Sequence, residues 1–114
     1  MQAEACPMKI GNIDDTKEWF EVLQTSDKSQ TAMMTLEPGE SSGAKEGHKK
    51  SDQVLLLLEG ELEGEIGDEK ATLKTGDVLL IPAEVKHRFT NRGAKAAVTF
   101  NVYAPPEYPA NTKG

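Results

Sequence analysis

The chain has 114 residues, a net charge of −6 and a charged fraction of 28%. This length accommodates one domain with one core. The acidic balance disfavours nucleic acid and anionic membrane surfaces as partners, because both are bound by basic surfaces. The longest apolar run, residues 54–58, is far shorter than the ~18 residues that a membrane-crossing helix needs. We therefore expect neither nucleic acid nor membrane among the partners.

The N-terminal residues carry no recognisable targeting signal. Residues 1–7 lack the basic and apolar regions of a signal peptide. The only cysteine, Cys6, has no partner for an internal disulfide, which is typical of a reducing compartment. We expect a cytoplasmic protein in which Cys6 has no special role.

Proline and glycine divide the chain into short segments typical of strands. Residues 19–25 favour a strand by their β-branched and aromatic content, although a short helix beginning near Asp15 is an alternative. Further strands are predicted at 29–36, 53–59, 61–66, 70–74, 78–81, 87–91 and 96–103. Gly67 and Asp68 supply a tight hairpin turn. Many short strands with closely spaced turns indicate an all-β sandwich or barrel.

Four glutamates alternate along one predicted hairpin: Glu59, Glu61, Glu63 and Glu65. Alternate residues of a strand share a face. Without a convergent partner such carboxylates stay hydrated, so this pattern predicts a solvated face in preference to a metal site.

Residues 76–91 resemble the second sequence motif of the cupin family. That motif is a glycine, five residues, a proline, one residue, a second glycine, two residues, a histidine, three residues and an asparagine. Gly76, Pro82, His87 and Asn91 stand at the matching positions. Glu84 replaces the second glycine, and a non-glycine residue at positive φ costs on the order of 1 kcal/mol.

The first cupin motif is present in altered form. Its pattern is a histidine, one residue, a histidine, three or four residues, a glutamate, six residues and a glycine. Here Glu46 takes the first histidine position, His48 the second and Gln53 the glutamate position, and Gly60 anchors the alignment. Residues 101–109 also resemble the close of many small cupins.

The resemblance covers roughly residues 28–109 and implies a small single-domain cupin of the type-2, RmlC-like kind. The implied fold is all-β, a double-stranded β-helix or jelly-roll barrel. We expect an N-terminal extension at 1–14, the barrel at 15–109 and a C-terminal tail at 110–114. Small cupins resemble each other in forming homodimers through a sheet. Residues 54–58 are apolar on both faces, and the outward set needs such cover, so a homodimer is expected.

In the cupin register Glu46, His48, Gln53 and His87 converge inside the barrel. Strand alternation puts Glu46 and His48 on one face, and the charged neighbours of His87 send that histidine inward. Two imidazoles and a carboxylate form an established shell for a divalent transition metal, and Gln53 would add a carbonyl oxygen. The alternatives are a hydrogen-bonded core histidine at 87, a solvated loop around His48, and a Gln53 that only hydrogen-bonds.

The cavity lining is expected to include Phe89, with Phe100 and Val102 from one alternating set and Met33 and Leu55 beside them. Taken singly, each of these residues fits an ordinary core position better than a cavity wall. An apolar cavity with a few polar groups at its centre is the usual form of a small-molecule site.

Three functions remain open on the sequence. The first is a metal-dependent enzyme, of dioxygenase or isomerase type, acting on a small organic substrate. The second is a non-catalytic small-molecule or metal binder, a sensor or accessory protein with a degenerate site. The third is a purely structural barrel, which the altered first motif favours.

Overall fold

A computed structural model describes residues 8–114, and Cys6 and the N-terminal segment 1–7 lie outside the described residues. The described chain forms one short 3-10 helix and eight strands. The 3-10 helix is Ile13–Asp15, and the strands are β1 (Phe20–Thr25), β2 (Gln30–Leu36), β3 (Asp52–Glu59), β4 (Glu61–Ile66), β5 (Glu69–Lys74), β6 (Val78–Ile81), β7 (His87–Thr90) and β8 (Ala97–Ala104).

Two antiparallel sheets face each other and enclose the core. One sheet has five strands in the order β1-β2-β8-β3-β6, and the other has three in the order β5-β4-β7. The predicted all-β barrel is confirmed. The first segment is a strand, and the helical alternative is reduced to the single turn that Asn12 caps with its side-chain oxygen 2.8 Å from the Asp14 amide nitrogen.

The core lies between the inner faces of the two sheets, where alternate residues of each strand point. Leu55, Leu57, Leu62 and Phe89 are fully buried there. Polar residues share this interior, since Gln53, Thr99 and Asn101 are also buried. The inner face of β8 is therefore polar at its centre.

The outer faces of the two sheets differ in chemistry. On the three-stranded sheet, glutamates of β4 meet basic residues: Glu65 lies 2.9 Å from Arg88, Glu63 lies 2.7 Å from Arg92, and Glu61 lies 2.9 Å from Lys74. The alternating glutamates thus lie on a charged, partly exposed surface.

On the five-stranded sheet the outer side of β8, β3 and β6 is apolar, and we call it the apolar outer face. Leu56 of β3 is in register with residues of both neighbouring strands, Val78 on β6 and Phe100 on β8. Val78 is 67% exposed and Leu80 is 59% exposed. The patch is continuous across three strands and consists of Val54, Leu56, Val78, Leu80, Val98, Phe100 and Val102.

Two turns position the segments that carry the site. Gly67 opens the two-residue turn between β4 and β5 at φ +60°. Glu84, at the position where the family has glycine, has φ +73°, so the turn before His87 forms without the glycine. The Glu84 amide donates to the His48 carbonyl oxygen at 2.6 Å, which ties the loop carrying His48 to this turn.

The C-terminal residues run back along β1. The Val22 amide donates to the Thr112 carbonyl at 3.0 Å, and the Gly114 amide donates to the Phe20 carbonyl at 2.6 Å. Upstream, the Gln30 side chain accepts from the Glu107 and Tyr108 amides. This stretch therefore packs against the edge of the five-stranded sheet and does not project from it.

No helix within residues 8–114 has the length and apolar character to cross a membrane.

Candidate functional site

A cavity of about 240 Å³ lies between the two sheets, and we call it the barrel cavity. Residues from β1, β2, β3, β7, β8 and the C-terminal stretch surround it. The four residues that the sequence proposed as metal ligands all lie on its wall: Glu46, His48, Gln53 and His87.

His87 enters the barrel cavity from the start of β7. Paired backbone hydrogen bonds of 3.0 and 3.2 Å join it to Glu46, so each residue fixes the position of the other. Its ring Nδ1 lies 3.0 Å from the Val85 carbonyl oxygen. A carbonyl can only accept, so Nδ1 carries the proton and Nε2 keeps its lone pair in the neutral ring. Burial lowers the pKa of His87, which favours that neutral form.

His48 lies beside His87, and the centroids of the two rings are 5.0 Å apart. Its Nδ1 is 3.3 Å from the Glu107 carboxylate, and its Nε2 is 3.1 Å from the Gln53 side-chain oxygen Oε1. Ser51 reaches the other oxygen of Glu107 at 3.1 Å. Both nitrogens of His48 therefore face oxygen atoms of the protein.

A buried chain of hydrogen bonds, which we call the amide relay, fixes the direction of the Gln53 amide. The Thr99 hydroxyl donates to the Met34 carbonyl oxygen, the Asn101 amide nitrogen donates to Thr99, and the Gln53 amide nitrogen donates to Asn101, each at 2.9 Å. Because the Met34 carbonyl only accepts, every later donor in the relay has a defined direction. Gln53 must then present its oxygen, not its nitrogen, to His48.

The donor atoms around His48 suit a divalent transition metal, because two imidazole nitrogens and an amide oxygen are neutral ligands of the right type. Within residues 8–114, however, no three histidine, cysteine, aspartate or glutamate side chains lie in a metal-binding arrangement. Glu46 lines the cavity but does not complete such a cluster with the two histidines. Of the four predicted ligands, Gln53 remains beside the two histidines, with its side-chain oxygen 3.1 Å from His48 Nε2.

Sequence reasoning missed several residues of this site. Glu107 contacts His48, and the Tyr103 ring stands edge-on to the His48 ring with centroids 5.3 Å apart. Burial raises the pKa of Tyr103 well above its ordinary value, so its hydroxyl stays neutral. The signal available was the segment 101–109, whose resemblance to other small cupins included both residues. Nothing in that segment alone indicated contact with a loop near residue 48.

The expected cavity lining needs correction. Phe89 lies on the cavity wall, whereas Met33, Phe100 and Val102 do not, and Leu55 is a core residue beside it. Strand alternation gives the reason, because Met34 and Tyr103 line the cavity and their sequence neighbours point to the opposite face. The apolar set of β8 faces outward, and its polar set faces inward.

Comparison with known proteins agrees with this architecture. The sequence profile of the cupin domain matches residues 32–103. The curated protein SchB of Streptomyces halstedii is 36% identical over 56 residues, a match that spans 48% of this chain and 41% of SchB. The matched segment thus covers less than half the length of that relative.

Two crystal structures show the same fold. The protein BH2720 of Bacillus halodurans is 27% identical, with a TM-score of 0.82 over 88% of this chain and 80% of that one. An RmlC-like cupin of Methanocaldococcus jannaschii with a double-stranded β-helix fold is 23% identical, with a TM-score of 0.74 over 86% of this chain and 91% of that one. With the profile match over residues 32–103, these likenesses establish that the chain belongs to the cupin family.

Proposed function

We propose that this protein binds a divalent transition metal through His48, His87 and Gln53, and a small organic molecule beside it in the barrel cavity. In this proposal Glu46 supplies a carboxylate on the wall of the same cavity. The molecule would be a substrate, and the protein a metal-dependent enzyme of dioxygenase or isomerase type.

The observation that carries the proposal is the direction of the Gln53 amide. If neutral His48 donates from Nδ1 to Glu107, its Nε2 presents a lone pair to Gln53 Oε1, which also presents a lone pair. Two such acceptors 3.1 Å apart repel each other unless a proton or a cation lies with them. Two donors bound about 2.1 Å from one metal ion are separated by about 3.0 to 3.4 Å, which matches this gap.

The residues around the donor atoms hold them in place whether or not a metal ion is bound. Val85 holds the His87 ring by its Nδ1, and Glu107 does the same for His48, which is the usual support of metal-binding imidazoles. Glu46 offers a carboxylate that can take a proton from a bound molecule. A bound metal would supply Lewis-acid polarisation of a substrate oxygen.

A second candidate is a metal-free small-molecule binder, as a sensor or accessory protein would be. It is favoured by the absence, within the described residues 8–114, of a three-residue cluster of the usual metal-binding types. In that case His48 Nε2 donates to Gln53 Oε1 in an ordinary hydrogen bond of 3.1 Å.

Elemental analysis of protein purified without chelator separates the two candidates. We expect about one equivalent of a transition metal, retained after dialysis and lost in the variant His48→Ala, His87→Ala. Glu61→Gln, on the charged outer surface, should keep the metal. Failure to bind cobalt, nickel, zinc, manganese, copper or iron after reconstitution would remove the enzyme proposal and leave the metal-free binder.

We also propose that the apolar outer face is covered by a second copy of the chain in a homodimer. Burying exposed Val78 and Leu80 would remove apolar surface from water on both copies. Sedimentation at micromolar concentration tests this, and a monomer alone would contradict it. A cytoplasmic location is likewise a proposal, based on the single cysteine, and cell fractionation tests it.

A further inference from the structure

The barrel cavity collects nearly all the aromatic side chains of the protein. The chain has one tryptophan, two tyrosines and three phenylalanines, and every one except Phe100 lines this cavity. A scaffold of this size needs apolar residues for its core, but it does not need its rings gathered around one opening. Phe20, Phe89 and Tyr103 are also buried core residues, whereas Trp19 and Tyr108 keep exposed surface on the wall of the cavity.

The rings form a continuous belt. Phe20 and Tyr108 have centroids 4.9 Å apart with planes inclined at 59°. Tyr103 and Tyr108 stand nearly perpendicular, with centroids 5.2 Å apart. Trp19 contacts Phe20 at 5.9 Å and is 43% exposed. Aromatic pairs prefer such tilted arrangements, so a further ring placed beside these would find favourable geometries.

The size and charge of the barrel cavity narrow the ligand further. Its volume of about 240 Å³ lies below the range of about 300 to 1,000 Å³ that is usual for drug-sized molecules. Within residues 8–114 no lysine or arginine lines it, and Glu46 does. A phosphate ester, with up to two negative charges, would lack sufficient counter-charge there, whereas a single carboxylate needs only the proposed metal ion. The space suits a single ring with one small polar group.

We propose that the barrel cavity binds a compact molecule made of one flat unsaturated ring and one oxygen-bearing head group, such as a carboxylate. The ring lies among Trp19, Phe20 and Tyr108. The head group faces His48, Gln53 and His87, so this ligand class rests on the proposed function for its polar contacts.

Trp19 makes the proposal measurable, because it is the only tryptophan and it lines the cavity. Benzoate and cyclohexanecarboxylate share a head group and a carbon count, and only benzoate has a flat ring. Titration of the full chain with benzoate should change the tryptophan fluorescence saturably. Benzoate should bind about twofold to tenfold more tightly than cyclohexanecarboxylate. Equal or reversed affinities would overturn the ring assignment.

Benzyltrimethylammonium tests the head group. If it binds more tightly than benzoate, the rings and Glu46 serve a cation, and the oxygen head group is wrong. Tyr108→Leu should weaken benzoate binding, whereas Phe100→Leu, the same kind of change outside the cavity, should not. The comparison of benzoate with cyclohexanecarboxylate uses the unmodified protein, so it remains valid even if a variant fails to fold.

Metal content measured on the same samples separates this inference from the proposed function. Bound metal without a preference for benzoate would overturn the ligand class alone. A preference for benzoate in metal-free protein would support the ligand class while contradicting the metal.

Discussion

The two faces of β8 differ in polarity in the opposite sense to its neighbour β3, whose inner face carries the buried Leu55 and Leu57. Inside, β8 places Thr99 and Asn101, both fully buried, in the amide relay. Outside, the same strand places Phe100 and Val102 on the apolar outer face. Burying polar groups costs free energy unless each is hydrogen-bonded, and here each is. The inner face of β8 therefore carries hydrogen-bonded polar groups, whereas its outer face is apolar.

The inner face also contains the fully buried leucines of β3, and a change there should have the largest effect. Leu57 is completely buried and Leu56, its neighbour on β3, lies on the apolar outer face. Leu57→Ala should lower the free energy of unfolding by about 2 to 5 kcal/mol. Leu56→Ala should cost clearly less in the monomer. Urea denaturation of both variants measures the difference, and equal losses would contradict the assignment of faces.

A substitution on the apolar outer face should change the affinity of the proposed homodimer. Phe100→Lys places a charge in the middle of the apolar outer face, opposite Leu56 in register. We expect the dissociation constant of the homodimer to rise at least about tenfold, because a buried unpaired charge is costly. Analytical ultracentrifugation measures it. Lys70→Glu, on the exposed surface of the three-stranded sheet, should leave the dimer intact.

The amide relay should matter to metal binding by an intermediate amount. Thr99→Val removes the acceptor of the Asn101 amide nitrogen with little change of shape, which frees the Gln53 amide to turn. We expect metal affinity to fall about tenfold, as for other residues that orient a metal ligand. Thr99→Ser restores the hydroxyl and should restore affinity. Side-chain amide resonances of Gln53 should shift in the valine variant, and unshifted resonances would show that the relay does not orient it.

The smallest effect is expected at Glu84, which has φ +73°. Glu84→Gly relieves the strain of the left-handed backbone conformation but also increases the conformational entropy of the unfolded chain. We expect a net gain of about 0.5 to 1 kcal/mol in the free energy of unfolding. Glu18→Gly, at an exposed position without positive φ, should give no gain. Thermal denaturation of both variants distinguishes strain relief from a general effect of glycine.

Sequence patterns predicted the strands well because turns and alternation are local properties. The motif spacing also predicted that His48, Gln53 and His87 lie at one cavity. The resemblance to a known family supplies the register between strands, which hydrophobic alternation alone does not give. The pattern failed at β8, where apolar Phe100 was expected to face inward. Alternation separates the two faces of a strand but does not say which face points into the barrel. In β8 the face with Asn101 points inward, where its side chain is hydrogen-bonded in the amide relay.

Contacts distant in sequence and outside the two motifs could not be predicted. Glu107 reaches His48 only because the chain after β8 folds back under the loop that carries this histidine. Thr112 pairs with Val22 at the opposite end of the chain. No local periodicity encodes such pairings, since they arise when the sheet closes.

A crystal structure of the protein soaked with cobalt, with anomalous diffraction data, tests the proposed centre most directly. We predict one strong anomalous peak bonded to the Nε2 atoms of His48 and His87 and to Oε1 of Gln53, at about 2.0 to 2.3 Å. A cavity without a peak, or a peak bound to surface carboxylates alone, would contradict it.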